Sequence, residues 1–224
     1  MNEFLTRLAA PTTAAIAHAV MRGRRSIRSY RPEGLPDDVI DRIFASAAAA
    51  PSAHNRQPWR YLVVRDAALK AGLAQAMGAQ LAADRRADGD SEDAIARDVT
   101  RSYRRITGAP AVILVALSMA EMDRYPDPVR THAEYLMAVQ STAMATQNLL
   151  LAAHAEGLGA CWMCAPLFCP AAVREVLPIP ADWEPQGLVT LGVPADLGRT
   201  PMRRKALSDF VMYAGGPAGP MQRT

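Results

Sequence analysis

Arginine side chains are concentrated in the stretch RRSIRSY, and their spacing is suited to binding an anion. Within five residues the chain supplies several guanidinium groups and a hydroxyl. These residues are Arg24, Arg25, Ser26 and Arg28. A guanidinium group donates paired hydrogen bonds to phosphate or carboxylate. Taken alone, the stretch is either one wall of a phosphate site or a solvated basic turn. A second basic stretch, MRRK, contains Arg203 and Arg204.

A second polar stretch, PSAHNRQPWR, lies between two prolines that keep it out of a helix. Pro51 is followed by Ser52, Asn55 and Gln57, which combine hydrogen-bond donors and acceptors. Such a loop suits a ligand rich in hydroxyl and carbonyl groups. A loop whose side chains satisfy only its own backbone is the alternative interpretation.

The third stretch, GLGACWM, directly follows the longest predicted helix. Glycines allow the backbone to approach a ligand closely, and Trp162 and Met163 offer flat or polarisable apolar contact. The alternative is that Gly157 and Gly159 only turn the chain.

Several kinds of site are excluded or disfavoured by the sequence. There is no G-x-G-x-x-G after a strand, no Walker loop, no G-x-S-x-G and no H-E-x-x-H. The three cysteines, Cys161, Cys164 and Cys169, are an odd number, which argues against a disulfide framework. Their spacing to each other and to His154 matches no common zinc pattern, so we expect no metal site.

The elements that must position these stretches are mostly helices around a modest sheet. Segments 61–64, 111–117 and 188–193 are short and apolar, as buried strands are. The pattern predicts an α+β or α/β protein. The longest helix is predicted over 129–156, with Gly157 as its C-terminal cap. It is apolar around most of its circumference, and covering it by a second copy predicts an intimate homodimer.

The region 81–105 is polar and charged, with Gly89 splitting two helical pieces. It is predicted to be either a lid over a substrate or a plain surface helix. Residues 1–213 are expected to form a single domain, and the Gly- and Pro-rich residues 214–224 a flexible tail.

Charge and hydropathy give expectations about partners and location. No uncharged apolar run is long enough for a membrane span, and the first residues show no signal-peptide pattern, so we expect a cytoplasmic protein without a membrane partner. The net charge is only +3 for 224 residues, with few aromatics beside the basic stretch, so no nucleic-acid partner is expected.

Together these stretches make the chain resemble the FMN-dependent nitroreductase family. That family carries an Arg-Arg-Ser-x-Arg-x-(Tyr/Phe) motif, then Ala-Pro-Ser-x-x-Asn-x-Gln-Pro-Trp, and later Gln-Asn-x-x-Leu-Ala-Ala and Gly-Leu-Gly. Here they stand in that order as RRSIRSY, APSAHNRQPWRY and TQNLLLAAHAEGLGACW. Within the family, the chain looks similar to the C-terminal domain of bacterial deazaflavin-coenzyme (F420-type) glutamyl ligases.

The resemblance implies a nitroreductase-like α+β fold and specific flavin contacts. Its expected features are a central mixed or antiparallel sheet surrounded by helices, a long buried central helix, and an intertwined homodimer with FMN at the interface. The phosphate and ribityl chain would be held by Arg24, Arg25, Ser26, Arg28, Arg203 and Arg204. The ribityl and ring edge would be lined by Pro51, Ser52, Asn55 and Gln57. From the other subunit, the ring would meet Gly159, Ala160, Cys161, Trp162 and Met163.

The resemblance also implies the reaction. NADH or NADPH would pass a hydride to N5 of the flavin, and a nitroaromatic, quinone or other conjugated small molecule would then take it in ping-pong fashion. No catalytic side chain and no metal are required. Many relatives have an acidic residue after the third stretch, where this chain has WMCAP. The alternatives are a reductase or binding protein for a deazaflavin coenzyme or its dehydro precursor, and a non-catalytic flavin-storage module.

Overall fold

A sheet of four antiparallel strands forms the centre of the protein. The computed structural model describes residues 11–196 and 203–214. The strands are β1 (Trp59–Val64), β2 (Ala111–Ser118), β3 (Gly159–Met163) and β4 (Trp183–Gly192). Their order across the sheet is β1-β2-β4-β3, and all three pairings are antiparallel. The expected sheet is therefore confirmed in its antiparallel form.

Six α-helices surround the sheet in the described part of the chain. They are α1 (Pro11–Gly23), α2 (Asp37–Ala48), α3 (Ala67–Ala87), α4 (Glu92–Thr107), α5 (Pro128–Ala155) and α6 (Pro170–Val176). The architecture is α+β, as predicted. Among the described residues, every helix is too short or too polar to span a bilayer.

Helices cover both faces of the sheet, which explains the continuous apolar run of β2. All eight residues of β2 are buried. Ile113 and Val115 belong to the core cluster shared with α2 and α5, whereas Val112 and Leu114 belong to the cluster shared with α3 and α6. A strand that is covered on one face only would alternate apolar and polar side chains.

Helix α5 matches its predicted boundaries to within one residue at each end. Asp127 caps its start, because the carboxylate accepts a hydrogen bond of 2.9 Å from the Arg130 N–H. Gly157 ends it in the left-handed conformation, with φ of 77°. One face of α5 packs in the core, while Leu136 and Met144 lie on a face that is exposed in the single chain.

The charged region 81–105 forms the end of α3 and most of α4, with Gly89 at the turn between them, as predicted. Ile95 and Ile106 of α4 are buried. Helix α4 therefore lies against the body of the protein, which agrees with the surface-helix interpretation. Its outward face carries the arginines.

The segment that joins α1 to α2 extends the sheet beyond β3. Ser26 forms a parallel bridge with Ala160, and the Ile27 N–H donates a hydrogen bond of 3.0 Å to the Ala160 carbonyl. Farther along, the Arg31 N–H donates to the Val193 carbonyl at 2.9 Å. The basic stretch is thus bridged to β3 at Ser26 and to the residues just after β4 at Tyr30 and Arg31, and residues 26–31 are called the added strand below.

The predictions for the two ends of the chain fall mostly outside the described residues. Of the predicted tail 214–224, residues 215–224 lie outside the described part of the chain, as do residues 1–10 of the predicted domain. The single domain over 1–213 stays a prediction.

Candidate functional site

Alternation along the added strand decides which side chains of the basic stretch face outward. Ile27 points inward and is buried, whereas Ser26 and Arg28 are exposed. Arg24 precedes this bridge and lies at the end of α1, where its N–H donates to the Val20 carbonyl at 3.2 Å. The Arg24 Nε atom is buried and has no hydrogen-bond partner among the described residues. A buried guanidinium N–H without an acceptor is costly, so an anionic or polar ligand beside this atom would be stabilising.

A glycine lets the added strand approach β3 closely. A Cβ atom on Gly159 would lie 2.7 Å from the Ile27 Cβ, which is closer than side chains tolerate. Gly159 is therefore required for the close approach of the two segments and does more than turn the chain. Gly187 leaves room for the Trp162 ring in the same way, because a Cβ atom on Gly187 would lie 2.4 Å from that ring.

Cys161 faces the basic stretch from the middle of β3. Burial raises the pKa of its thiol, and the nearby guanidinium groups of Arg28, Arg105 and Arg24 oppose that shift. The thiol is thus held mainly protonated in a positive environment. Because its side chain is buried, Cys161 forms part of the wall of the site and is not an exposed reactive thiol.

Arg25 and the second basic stretch are linked less directly to this site than Arg24 and Arg28. The Arg25 Nη1 atom donates to the Arg22 carbonyl at 3.0 Å, at the end of α1. Arg203 and Arg204 follow residues 197–202, which lie outside the described ranges. The part of these three arginines in phosphate binding stays a prediction.

The polar loop has three non-glycine residues in the left-handed region. The φ angles are 49° for His54, 55° for Asn55 and 50° for Gln57. Such conformations cost free energy and often mark functional sites. The loop is held by the Ser52 hydroxyl, which accepts from the Gln57 N–H at 3.1 Å, and by an ion pair of 2.5 Å between Arg56 and Asp123.

Part of the loop's hydrogen-bonding capacity is directed outward. The Gln57 side-chain amide donates to the Asn55 Oδ1 at 3.2 Å. No described residue bonds to the Asn55 Nδ2 or the Gln57 Oε1, and both residues are exposed. The loop therefore satisfies much of its own backbone and still presents a donor and an acceptor to a ligand.

The loop and the basic stretch lie at diagonally opposite corners of the sheet. Trp59, at the loop end of β1, is paired with Leu117, whereas Ala160 is paired with Leu191 at the level of Ala111. Three strand spacings and about six residues along β2 separate the corners, which is roughly 20 Å or more. The helices that cover both sheet faces fill the space between them.

This geometry corrects one expectation about the subunits. The resemblance led us to place the stretch 159–163 in a different subunit from Arg24–Arg28. That division was wrong, because Ser26 and Ala160 are paired within one chain. Within the single chain, the polar loop 51–57 is the segment that lies far from the basic stretch and β3.

A cleft lined with arginines lies beside the basic stretch. Its volume is about 660 Å³, and its walls are the segment Arg28–Tyr30 and the outer face of α4. The cleft arginines are Arg28, Arg97, Arg101, Arg104 and Arg105. From the sequence we predicted the charged region 81–105 as a lid over a substrate or a surface helix, but none of its arginines as a site residue, although their spacing of three, four and seven residues places them on one helix face.

The site's residues fit the phosphate of FMN. Arg24 offers a buried donor without a partner, and Arg28 makes no ion pair of 4.0 Å or less with a carboxylate of the described residues. No group of three or more potential metal ligands occurs in the described ranges. The arrangement is suited to binding an anion beside β3.

Comparisons with known proteins identify the family of the chain. The sequence profile of the Nitroreductase family matches residues 21–193. A 5,6-dimethylbenzimidazole synthase from Rhodobacter capsulatus is 35% identical over 193 residues, which cover 84% of this chain and 87% of the relative.

Solved structures show the same fold. A protein from Desulfovibrio desulfuricans, described as a nitroreductase in complex with FMN, is 26% identical and superposes with a TM-score of 0.66, covering 89% of this chain and 97% of its own. The FMN-dependent nitroreductase NfnB from Mycobacterium smegmatis, in complex with NADPH, is 22% identical with a TM-score of 0.71, covering 90% and 99%. A BluB-like flavoprotein from Clostridium difficile is 20% identical with a TM-score of 0.72, covering 89% and 99%. The chain belongs to the nitroreductase family of flavin-dependent oxidoreductases.

Proposed function

We propose that this protein is an FMN-dependent NAD(P)H oxidoreductase that reduces nitroaromatic, quinone or other conjugated small molecules by ping-pong hydride transfer. The observation that carries the proposal is the basic stretch beside β3, with the buried and unpartnered Arg24 Nε. Bound FMN would supply the redox chemistry, and the protein supplies binding, orientation and electrostatics.

Each part of the site has a role in this proposal. Arg24, Ser26 and Arg28 hold the phosphate, and β3 forms the wall beside it. Asn55 and Gln57 of a partner subunit offer a donor and an acceptor to the ring edge. The concentration of positive charge favours a ligand that becomes more anionic when it is reduced. No side chain is needed as a nucleophile.

The visible absorption spectrum of the purified protein tests the proposal. We expect a flavin spectrum that bleaches when NADH or NADPH is added without oxygen and returns when a quinone is added. A flavin spectrum that persists with both donors would instead support the storage module. A protein that contains no FMN and takes none up would contradict the assignment of the site.

The relative from Rhodobacter capsulatus supports a second candidate function, the synthesis of 5,6-dimethylbenzimidazole. Chromatography with mass spectrometry of an aerobic reaction containing FMN and NADPH distinguishes the two. Formation of the benzimidazole would establish the synthase, whereas acceptor reduction without this product would establish the general reductase.

A reductase or binding protein for a deazaflavin coenzyme stays a prediction that rests on the likeness to the ligase domain. It is tested separately, by titrating the FMN-loaded protein with a deazaflavin coenzyme and following the change in deazaflavin fluorescence.

A further inference from the structure

Most of the positive charge in the arginine cleft is not neutralised by the protein. Among the described residues, only Arg101 of the five cleft arginines has a carboxylate partner, Asp98. Asp98 is itself shared with Arg85. The remaining cleft arginines therefore concentrate positive charge along an open cleft, and this charge attracts anions.

The spacing of the arginines on α4 destabilises the helix. Arg97 and Arg101, and likewise Arg101 and Arg105, are four residues apart, and like charges at that spacing destabilise a helix. Burial lowers the pKa of Arg105, and repulsion from Arg28 and Arg101 lowers it further. A cluster that the fold holds together against this repulsion is typical of a binding site.

The phosphate of FMN does not account for the whole cluster. FMN carries one phosphate group, for which Arg24 and Arg28 stand beside β3. Arg97 and Arg104 lie on the facing helix, across a cleft of about 660 Å³. That volume has room for a substrate-sized molecule and exceeds what a phosphate group fills.

We propose that the α4 arginines bind a second, multiply charged anionic group of phosphates or carboxylates, carried by the molecule that exchanges electrons with the flavin. This inference rests on the proposed function. Two sources share this chemistry: the phosphates of a nicotinamide dinucleotide donor, and the acidic tail of an acceptor. In a ping-pong reaction both would use the same cleft in turn.

Calorimetric titration of the FMN-loaded protein with inorganic tripolyphosphate and with tetraglutamate tests the inference. We expect at least one probe to bind while FMN remains in place. The double variant R97Q/R104Q should weaken that binding tenfold or more, because two guanidinium partners are removed. The variant R97K/R104K keeps the charge and should lose less affinity. Arg22→Gln, on the exposed side of α1, is the control and should leave the affinity unchanged.

The outcomes separate the sources and the two proposals. A tenfold increase in KM for NADPH in R97Q/R104Q, with an unchanged KM for menadione, assigns the donor phosphates. An unchanged KM for NADPH, together with lost binding of tetraglutamate, assigns an acidic acceptor tail. Three results would overturn the inference: neither probe binds the wild type, R97Q/R104Q binds equally well, or R97Q/R104Q loses FMN. Failure of the wild type to take up FMN would instead contradict the proposed function.

Discussion

Arg24 and Arg25 are neighbours in the chain but have different surroundings. Arg24 has a buried Nε atom without a partner, whereas Arg25 donates to the carbonyls at the end of α1. Both line the same cavity beside Ala160 of β3, so the difference lies in their hydrogen bonds. The structure thus distinguishes two arginines that the motif alone does not, and it favours Arg24 over Arg25 as the phosphate ligand.

We predict that Arg24→Ala and Arg28→Ala each weaken FMN binding at least about tenfold, the equivalent of ~1.4 kcal/mol, because each removes charge-assisted hydrogen bonds to the phosphate. Quenching of FMN fluorescence during titration measures the affinity. Arg22→Ala is the control for the loss of a positive charge. Full flavin content in both variants would show that the phosphate is held elsewhere.

Two half-buried tyrosines provide a matched test of hydrogen bonding behind the site. The Tyr30 hydroxyl donates to the Ile27 carbonyl at 2.5 Å and lies 2.7 Å from the Thr190 hydroxyl, which ties the added strand to β4. The Tyr61 hydroxyl is buried and has no hydrogen bond of 3.5 Å or less among the described residues; the nearby Thr146 hydroxyl donates to the Thr142 carbonyl.

We predict that Tyr30→Phe lowers the free energy of unfolding by ~1–2 kcal/mol, because it leaves the Ile27 carbonyl and the Thr190 hydroxyl unpaired. Tyr61→Phe should change it by less than ~0.5 kcal/mol or raise it, because no hydrogen bond is lost. Urea denaturation of both variants measures the difference. Equal losses would contradict the role given to Tyr30.

At the scale of elements, the site depends on the contact between the added strand and β3. Gly159→Ala would place a Cβ atom 2.7 Å from Ile27 and push the two strands apart. We expect a loss of ~1–3 kcal/mol of stability, as for other overpacked positions, together with weaker FMN binding. Thermal unfolding and FMN titration measure the two effects.

Gly34→Ala is the matched control for this prediction. A Cβ atom on Gly34 would meet nothing within 4 Å, and the residue is exposed. It should therefore keep both stability and FMN affinity. If Gly159→Ala behaved like Gly34→Ala, the close approach of the two strands would not be needed for the site.

The elements differ in how well their sequences predicted them. Helix α5 was predicted to within one residue, because it has a long apolar pattern and ends at a glycine. Strand β3 was not predicted as a strand, because GACWM lacks a β-branched run and adopts its conformation by pairing with β4. Tertiary pairing overrides weak local preference here. The α4 cleft was missed for a related reason, since only the fold brings Arg28 to face that helix.

At the scale of the whole molecule, the separation of the two corners of the sheet argues for a symmetric dimer. A ligand held at Arg24 and Arg28 does not reach the loop 51–57 of the same chain through the covered sheet. In a two-fold dimer, the loop of each protomer would be able to complete the site at the basic stretch of its partner, and this would occur twice. The exposed face of α5, with Leu136 43% and Met144 41% exposed, is an apolar surface for such an interface.

We predict that Met144→Asp converts a wild-type dimer into a monomer, because a charge buried in an apolar interface without a partner is strongly unfavourable. Light scattering coupled to size-exclusion chromatography measures the mass. The control is Ala87→Asp, which adds the same charge at the exposed end of α3. The monomer should also lose FMN, because the partner's loop no longer completes the site. A folded monomer that keeps FMN with wild-type affinity would show that one chain forms the site alone, and the polar loop would then need another explanation.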